Sequence, residues 1–119
     1  MSKRDANLLL EDILESIERI QKYTVDLDFN SFKNDEKTVD AVIRNFEIIG
    51  EAANRLPEEF RKNNDQLNWN RLRGFRNRIV HEYFGVDLSI VWSIIENNLN
   101  DLNIQIRELR FDNHKPKNK

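Results

Sequence analysis

The sequence predicts an all-α fold, an antiparallel bundle of four main helices. Apolar residues recur at three- and four-residue steps through most of the chain, which is the mark of helical faces. Glycine and proline are scarce, three and two in 119 residues, so little of the chain is suited to tight turns or long irregular loops. No segment alternates with a two-residue period for long enough to build a sheet.

The first helix is expected from about Asp5 to Tyr23, where Leu10, Ile13, Leu14, Ile17 and Ile20 form one apolar face and Glu11, Asp12, Glu15 and Glu18 lie mostly off it. Residues 24–36 break that pattern and read as a connection, with Phe29 and Phe32 tucking its turns onto the core. The second helix starts near Asp35 and carries Val39, Val42, Ile43, Phe46, Ile49 and Ala53. It ends at Leu56, because Pro57 disfavours helical geometry in the residue before it. Pro57 also opens a short helix, PEEFRKN, since a first turn does not need its N–H. Gly50 and Ala53 suit the close approach of another helix, with Glu51 beside them as a further candidate for a site. After a polar loop over 63–68, a third long helix is expected from about Trp69 to Phe84, stopped by Gly85. Asp87 is placed to cap the last helix. There Leu88, Trp92, Ile95, Leu99, Leu102, Ile106 and Leu109 form one seam, with Ile90, Ile94 and Ile104 off it as a possible second packing face. Trp69 and Trp92 read as core or interface residues. Residues 1–110 are expected to form a single domain and 111–119 a polar, disordered tail.

Composition narrows the function classes. The absence of cysteine excludes a disulfide framework and thiolate metal sites, and no apolar run approaches membrane-spanning length. The N-terminal stretch lacks a signal peptide's uncharged apolar core, so the expected location is cytoplasmic. A formal net charge of −2 argues against a general nucleic-acid coat, so RNA or DNA contact must come from a local patch. The strong candidate is RLRGFRNRIVHEYFG, Arg71 to Gly85, which gathers four arginines within eight residues ahead of one of only two histidines.

On a helix, Leu72, Phe75, Ile79 and Tyr83 fall within about 80° of one another and form a buried face. Arg73, Asn77 and His81 form a second stripe, with Arg76 between the two and Arg78 flanking His81. Arginine presents a planar, permanently charged fork that matches a phosphate, histidine exchanges a proton near neutral pH, and asparagine can orient a substrate group. The set suits phosphodiester cleavage without a metal, with His81 acting on a ribose 2′-hydroxyl or on the leaving oxygen and an arginine stabilising charge on phosphorus. That nucleophile exists in RNA and not in DNA. No metal or cofactor site is read: His81-Glu82 does not begin an HExxH motif, and there is no glycine-rich phosphate loop. By residue type alone the favoured reading of the arginines is a solvated face paired with Glu51, Glu58 or Glu59, of His81 a structural histidine, and of Tyr83 a core tyrosine with its hydroxyl at the rim.

RNRIVH matches the R-x(4–6)-H motif of the HEPN superfamily. RNRIVHEY, together with GEAANRLPEEF and HEYFGVD, resembles the HepT family over most of the chain, from the first helix to about Leu109. The resemblance implies an all-helical homodimer, the toxin of a type II/VII-like toxin–antitoxin pair. It implies a metal-independent ribonuclease with Arg76 and His81 in a cleft at the dimer interface and Asn77 in support. It further implies a small MNT-type nucleotidyltransferase as antitoxin, which transfers AMP to Tyr83, where added bulk and negative charge would obstruct RNA. Arg71, Arg73 and Arg78 are then the phosphate-binding candidates. A second expectation is a catalytically inactive HEPN dimer that serves as the nucleotidyltransferase's binding partner.

Overall fold

The computed structural model describes residues 5–74 and 87–114, with side chains in the last helix described through Leu109. The described elements are α1 (Ala6–Thr24), α2 (Phe29–Lys33), α3 (Glu36–Arg55), α4 (Glu58–Asn63), the helical start of α5 over 69–74, α6 (Leu88–Asn97) and α7 (Leu99–His114). Among the described residues there is no strand, and the all-α expectation holds. No helix among them is long and apolar enough to cross a membrane.

α1 and α3 form the central pair, with α7 against α1 and α6 against α2. The periodic residues of α1 are all buried, Leu10, Ile13, Ile17 and Ile20 completely so. Val42, Phe46, Ile49 and Ala53 of α3 join the same core, and Gly50 is buried on the same helix. A helix with one such stripe has only one stable solution, which is to press it against another helix's stripe.

Aspartates start the elements. Asp5, Asp28, Asp35 and Asp87 each accept a backbone N–H from the first turn of the helix that follows, which satisfies a donor with no partner inside the helix. Asp35 also accepts the Thr38 hydroxyl at 2.8 Å and Asp87 the Ser89 hydroxyl at 2.6 Å. These bonds favour the charged carboxylate. They hold Asp35 and Asp87 below the usual carboxylate value of 3.8, through the hydroxyl first and the backbone N–H second. Asp28 is lowered in the same way, chiefly by the Ser31 N–H.

Two connections differ from the sequence reading. The stretch expected as a connection holds the short helix α2, capped by Asp28, and its Phe32 is fully buried on the core as expected, with its ring centroid 5.1 Å from that of Trp92. The last helix, expected as one rod, breaks at Asn98, whose φ of −124° leaves the helical range. Hydrogen bonds continue across the break, from Asn98 N to Ile94 O and from Leu102 N to Asn98 O, both 3.0 Å. Its place is an Asn97–Asn98 pair of weak helix formers. The break allows two partners: α6 lays Trp92 on Phe29 and Phe32, while α7 buries Leu102, Ile106 and Leu109 beside α1. Ile94 packs against the core rather than standing off it, whereas Ile90 and Ile104 are exposed as expected. α7 continues through His114, past the expected start of the tail at 111.

The end of α3 shows what Pro57 demands. The Ala53 carbonyl would normally accept from the N–H four residues on, and proline has none. Arg61 of α4 supplies the donor: its Nη1 lies 3.1 Å from Ala53 O, 3.2 Å from Asn54 O and 2.7 Å from Leu56 O. A guanidinium at a helix C-terminus also meets the negative end of the helix dipole.

Phe32→Ala is expected to cost about 3–5 kcal/mol by urea unfolding, because it empties a fully buried aromatic site. A folded-state carboxylate pKa below its unfolded value stabilises the fold above the unfolded pKa, and that gain is lost as pH falls through the folded pKa. The melting temperature should therefore fall on acidification below about pH 4, and Asp35→Asn should flatten that fall.

Candidate RNA-facing helix start

The sequence's candidate residues lie on α5 and just beyond its described part. Arg71 and Arg73 are described; Arg76, Asn77, Arg78, His81 and Tyr83 lie outside the described residues, as does Gly85. The geometry available is therefore that of the first turn of the candidate helix and what fixes it.

Three contacts fix that turn from within. Leu72 is buried, at the position the helical projection gives it. Trp69 is buried, packs edge-on against Phe60 with centroids 6.3 Å apart, and donates its indole N–H to Asn64 O at 2.9 Å. Asn68 caps the turn, its Oδ1 accepting the Arg71 N–H at 3.0 Å. An indole buried with its N–H satisfied is an anchor with a defined orientation.

Two further contacts hold the turn to the rest of the bundle, and both use arginine. Exposed Arg71 donates from Nη2 to Asn98 Oδ1 at 3.2 Å, at the α6–α7 break. Half-buried Arg73 donates from Nε to Asn54 Oδ1 at 3.0 Å, at the end of α3 that Arg61 caps. Among the described residues neither arginine meets a carboxylate within ion-pair distance. The expected pairing with Glu51, Glu58 or Glu59 is not made by these two; Glu58 instead faces Lys62 at 3.8 Å. A neutral amide orients a guanidinium without forming an ion pair, so among the described residues both arginines keep N–H donors for an anion.

Beside Arg73 lies an open groove between α4 and α5, about 770 Å³, lined among others by Glu58, Arg61, Lys62, Asp65 and Trp69. It carries both signs of charge, so the cationic character belongs to the α5 turn rather than to the groove. The described residues contain no group of three His, Cys, Asp or Glu side chains placed to hold a metal ion. Asn54, Asn98 and Arg61 were not among the sequence candidates. Their partners are 19, 27 and five to eight residues away, beyond any helical periodicity.

The family profile described as Ribonuclease HepT-like matches residues 13–109, a span that takes in the whole described bundle from mid-α1 to the end of the α7 seam. The chain belongs to the HepT-like ribonuclease family. This HepT-like chain is 40% identical over 113 residues to the Methanocaldococcus jannaschii protein named "Putative RNase MJ0127", covering 94% of this chain and 93% of that one. It is 37% identical over 108 residues to the "Probable ribonuclease HepT" of Thermococcus cleftensis, covering 91% of this chain and 98% of that one. It is 36% identical over 100 residues to the "Putative RNase TTE0752" of Caldanaerobacter subterraneus, covering 84% and 89%. No solved structure gives a significant match. The fold and family of the HepT-like chain thus agree with the resemblance carried by RNRIVHEY.

The two kinds of arginine contact separate in a stability assay. Arg61→Met should cost about 1–2 kcal/mol, because it orphans the Ala53 and Leu56 carbonyls at a helix end. Arg71→Gln should change stability by no more than about 0.5 kcal/mol, as an exposed side chain that leaves no buried group unsatisfied. Paired urea melts read both.

Proposed function

We propose that this HepT-like chain is a metal-independent endoribonuclease, the toxin of a toxin–antitoxin pair, acting as a homodimer with its cleft along the α5 helices. The observation that carries the reading is the pairing of RNRIVHEY with an α5 turn whose arginines are oriented by amides and, among the described residues, meet no carboxylate at ion-pair distance. Family membership supports ribonuclease chemistry in general.

In this reading Arg71, Arg73 and Arg78 hold backbone phosphates, and Arg76 stabilises the charge that builds on the phosphorus being attacked. In a symmetric cleft two His81 side chains are available. A neutral one takes the proton from the ribose 2′-hydroxyl, the 2′-oxygen bonds to phosphorus, and the P–O5′ bond breaks. A protonated one gives its proton to the departing 5′-oxygen. Asn77 orients the reacting phosphate. Tyr83, two residues from His81, is the acceptor for AMP from an MNT-type nucleotidyltransferase. The added phosphate repels RNA and silences the cleft.

The test is RNA cleavage by purified protein in EDTA, with the mass of Tyr83 checked as unmodified. His81→Ala is expected to lower the rate by at least about 10² while the dimer persists in sedimentation. Cleavage undiminished in His81→Ala would overturn the assignment. Incubation with the nucleotidyltransferase and ATP should add one AMP at Tyr83 and remove cleavage; a Tyr83→Phe protein that is still modified and silenced would contradict that role.

A further inference from the structure

Beside Arg71 a second depression opens, between the 67–72 stretch and the α6–α7 break, with a volume of about 220 Å³. It is more enclosed than the α4–α5 groove and differs from it in chemistry. Its lining includes Leu72 and Leu102, both buried core residues, and Ile94, which packs on the core. Asn98, Asp101 and Gln105 also line it. These three are spaced i, i+3 and i+7 from the break, so they follow one face of α7. Arg71 lies at the crevice with its Nη2 on Asn98 Oδ1 at 3.2 Å, which leaves the Asn98 amide N–H₂ as a donor. Asp101 and Gln105 hold no hydrogen-bond partner among the described residues.

The volume is below the about 300 Å³ of a small-molecule pocket, and so fits a single flat ring system rather than a whole cofactor. Proteins accept an unstacked base by stacking its ring on aromatic or apolar side chains or on an arginine plane and reading its edge with polar groups; here half-buried Ile94 offers the apolar contact above the buried leucines. Asp101 decides which base. A carboxylate near a cationic strip repels phosphates, so in an RNA site it contributes as an acceptor, from a ribose hydroxyl or from the N–H groups of a base edge. Guanine offers two neighbouring donors on its Watson–Crick edge, N1–H and the N2 amino group, which a carboxylate accepts as a pair. Cytosine and adenine offer one amino group each, and uracil a single N–H.

We infer that this crevice is a base-recognition subsite of the ribonuclease, taking an unpaired guanine from single-stranded RNA, with Asp101 on its N1–H and N2–H₂, Gln105 and the Asn98 amide on its remaining edge, and Arg71 on the adjoining phosphate. The inference rests on the ribonuclease reading above and adds its specificity. Arg71 stands five residues before Arg76 in the chain, and a base held in the crevice should set cuts at a fixed distance from itself.

The experiment sequences the cut sites produced from a random RNA pool by the wild-type chain, Asp101→Asn and Gln105→Ala. All three are expected to fold, since both side chains are exposed. Wild type should enrich guanine at one position fixed relative to the cut, and Asp101→Asn should erase that enrichment. No enriched base, or an enrichment untouched by Asp101→Asn, would overturn the inference. The two readings are separated by NMR titration of the wild-type chain with GMP and CMP, which needs no cleavage. GMP should bind about tenfold more tightly than CMP, the discrimination of one bidentate pair, with shifts at the Leu102 and Gln105 amides. Equal binding, or shifts confined elsewhere, would overturn the subsite even if RNA is cut. Selective GMP binding by a chain that cuts nothing would support the subsite while removing the ribonuclease.

Discussion

The seam between α1 and α3 is the contact from which the other elements take their places. Leu10, Ile13, Ile17 and Ile20 on one side and Val42, Phe46 and Ile49 on the other are at most 1% exposed. Burial at that level is worth about 1.5–3 kcal/mol per large side chain against leaving it in water. A five-residue helix such as α2 cannot stand alone in water. It persists because Phe32 enters the core and α6 lays Trp92 over it. α7 is fixed to α1 by its own seam and by Arg107, which reaches Glu18 at 2.8 Å and Asn103 at 2.8 Å. That exposed ion pair orients more than it stabilises.

What the bundle delivers to α5 is an anchored first turn. The anchor is apolar below, through Trp69 and Leu72, and polar on two sides, through Asn54 and Asn98. The two asparagines sit at places where a helix ends or breaks, which is where backbone geometry frees a short amide side chain to face a neighbour. Arg61 completes the arrangement by closing the end of α3, so the Asn54 that holds Arg73 stands on a capped terminus. Carboxylates in place of these amides would orient the same guanidinia and also neutralise them.

Much of this was legible in the sequence because it is local. The boundaries of α1 and α3 follow from stripes of apolar residues and from Asp5, Asp35 and Pro57, and the start of α6 follows from Asp87. Each of these signals acts within one turn of the element it defines. α2 was readable in principle, since Asp28 stands three residues before Ser31 as a cap, but five residues are too few for a periodicity to register. The break at Asn98 was hidden for the opposite reason: the 3.5-residue seam runs on through it, and only the Asn97–Asn98 pair marks the change. Arg61 on the α3 carbonyls, Arg73 on Asn54 and Arg71 on Asn98 are tertiary contacts with no spacing rule. The motif suggests its chemistry by residue type and by resemblance, and Arg76, Asn77, Arg78, His81 and Tyr83 lie outside the described residues. The amides that tune its flanking arginines, and the crevice beside Arg71, exist only once α3, α5 and α7 have been brought together.

The proposed activity comes down to one chemical step, in which the ribose 2′-hydroxyl is turned on the adjacent phosphate. Mass spectrometry of the fragment ends reads this directly. Transesterification through His81 leaves a 2′,3′-cyclic phosphate on one fragment and a 5′-hydroxyl on the other, and a 2′-deoxy nucleotide at the cut site blocks the reaction. Fragments ending in 3′-hydroxyl and 5′-phosphate, or cleavage that proceeds past the 2′-deoxy substitution, would mean that water is the nucleophile and would contradict the mechanism.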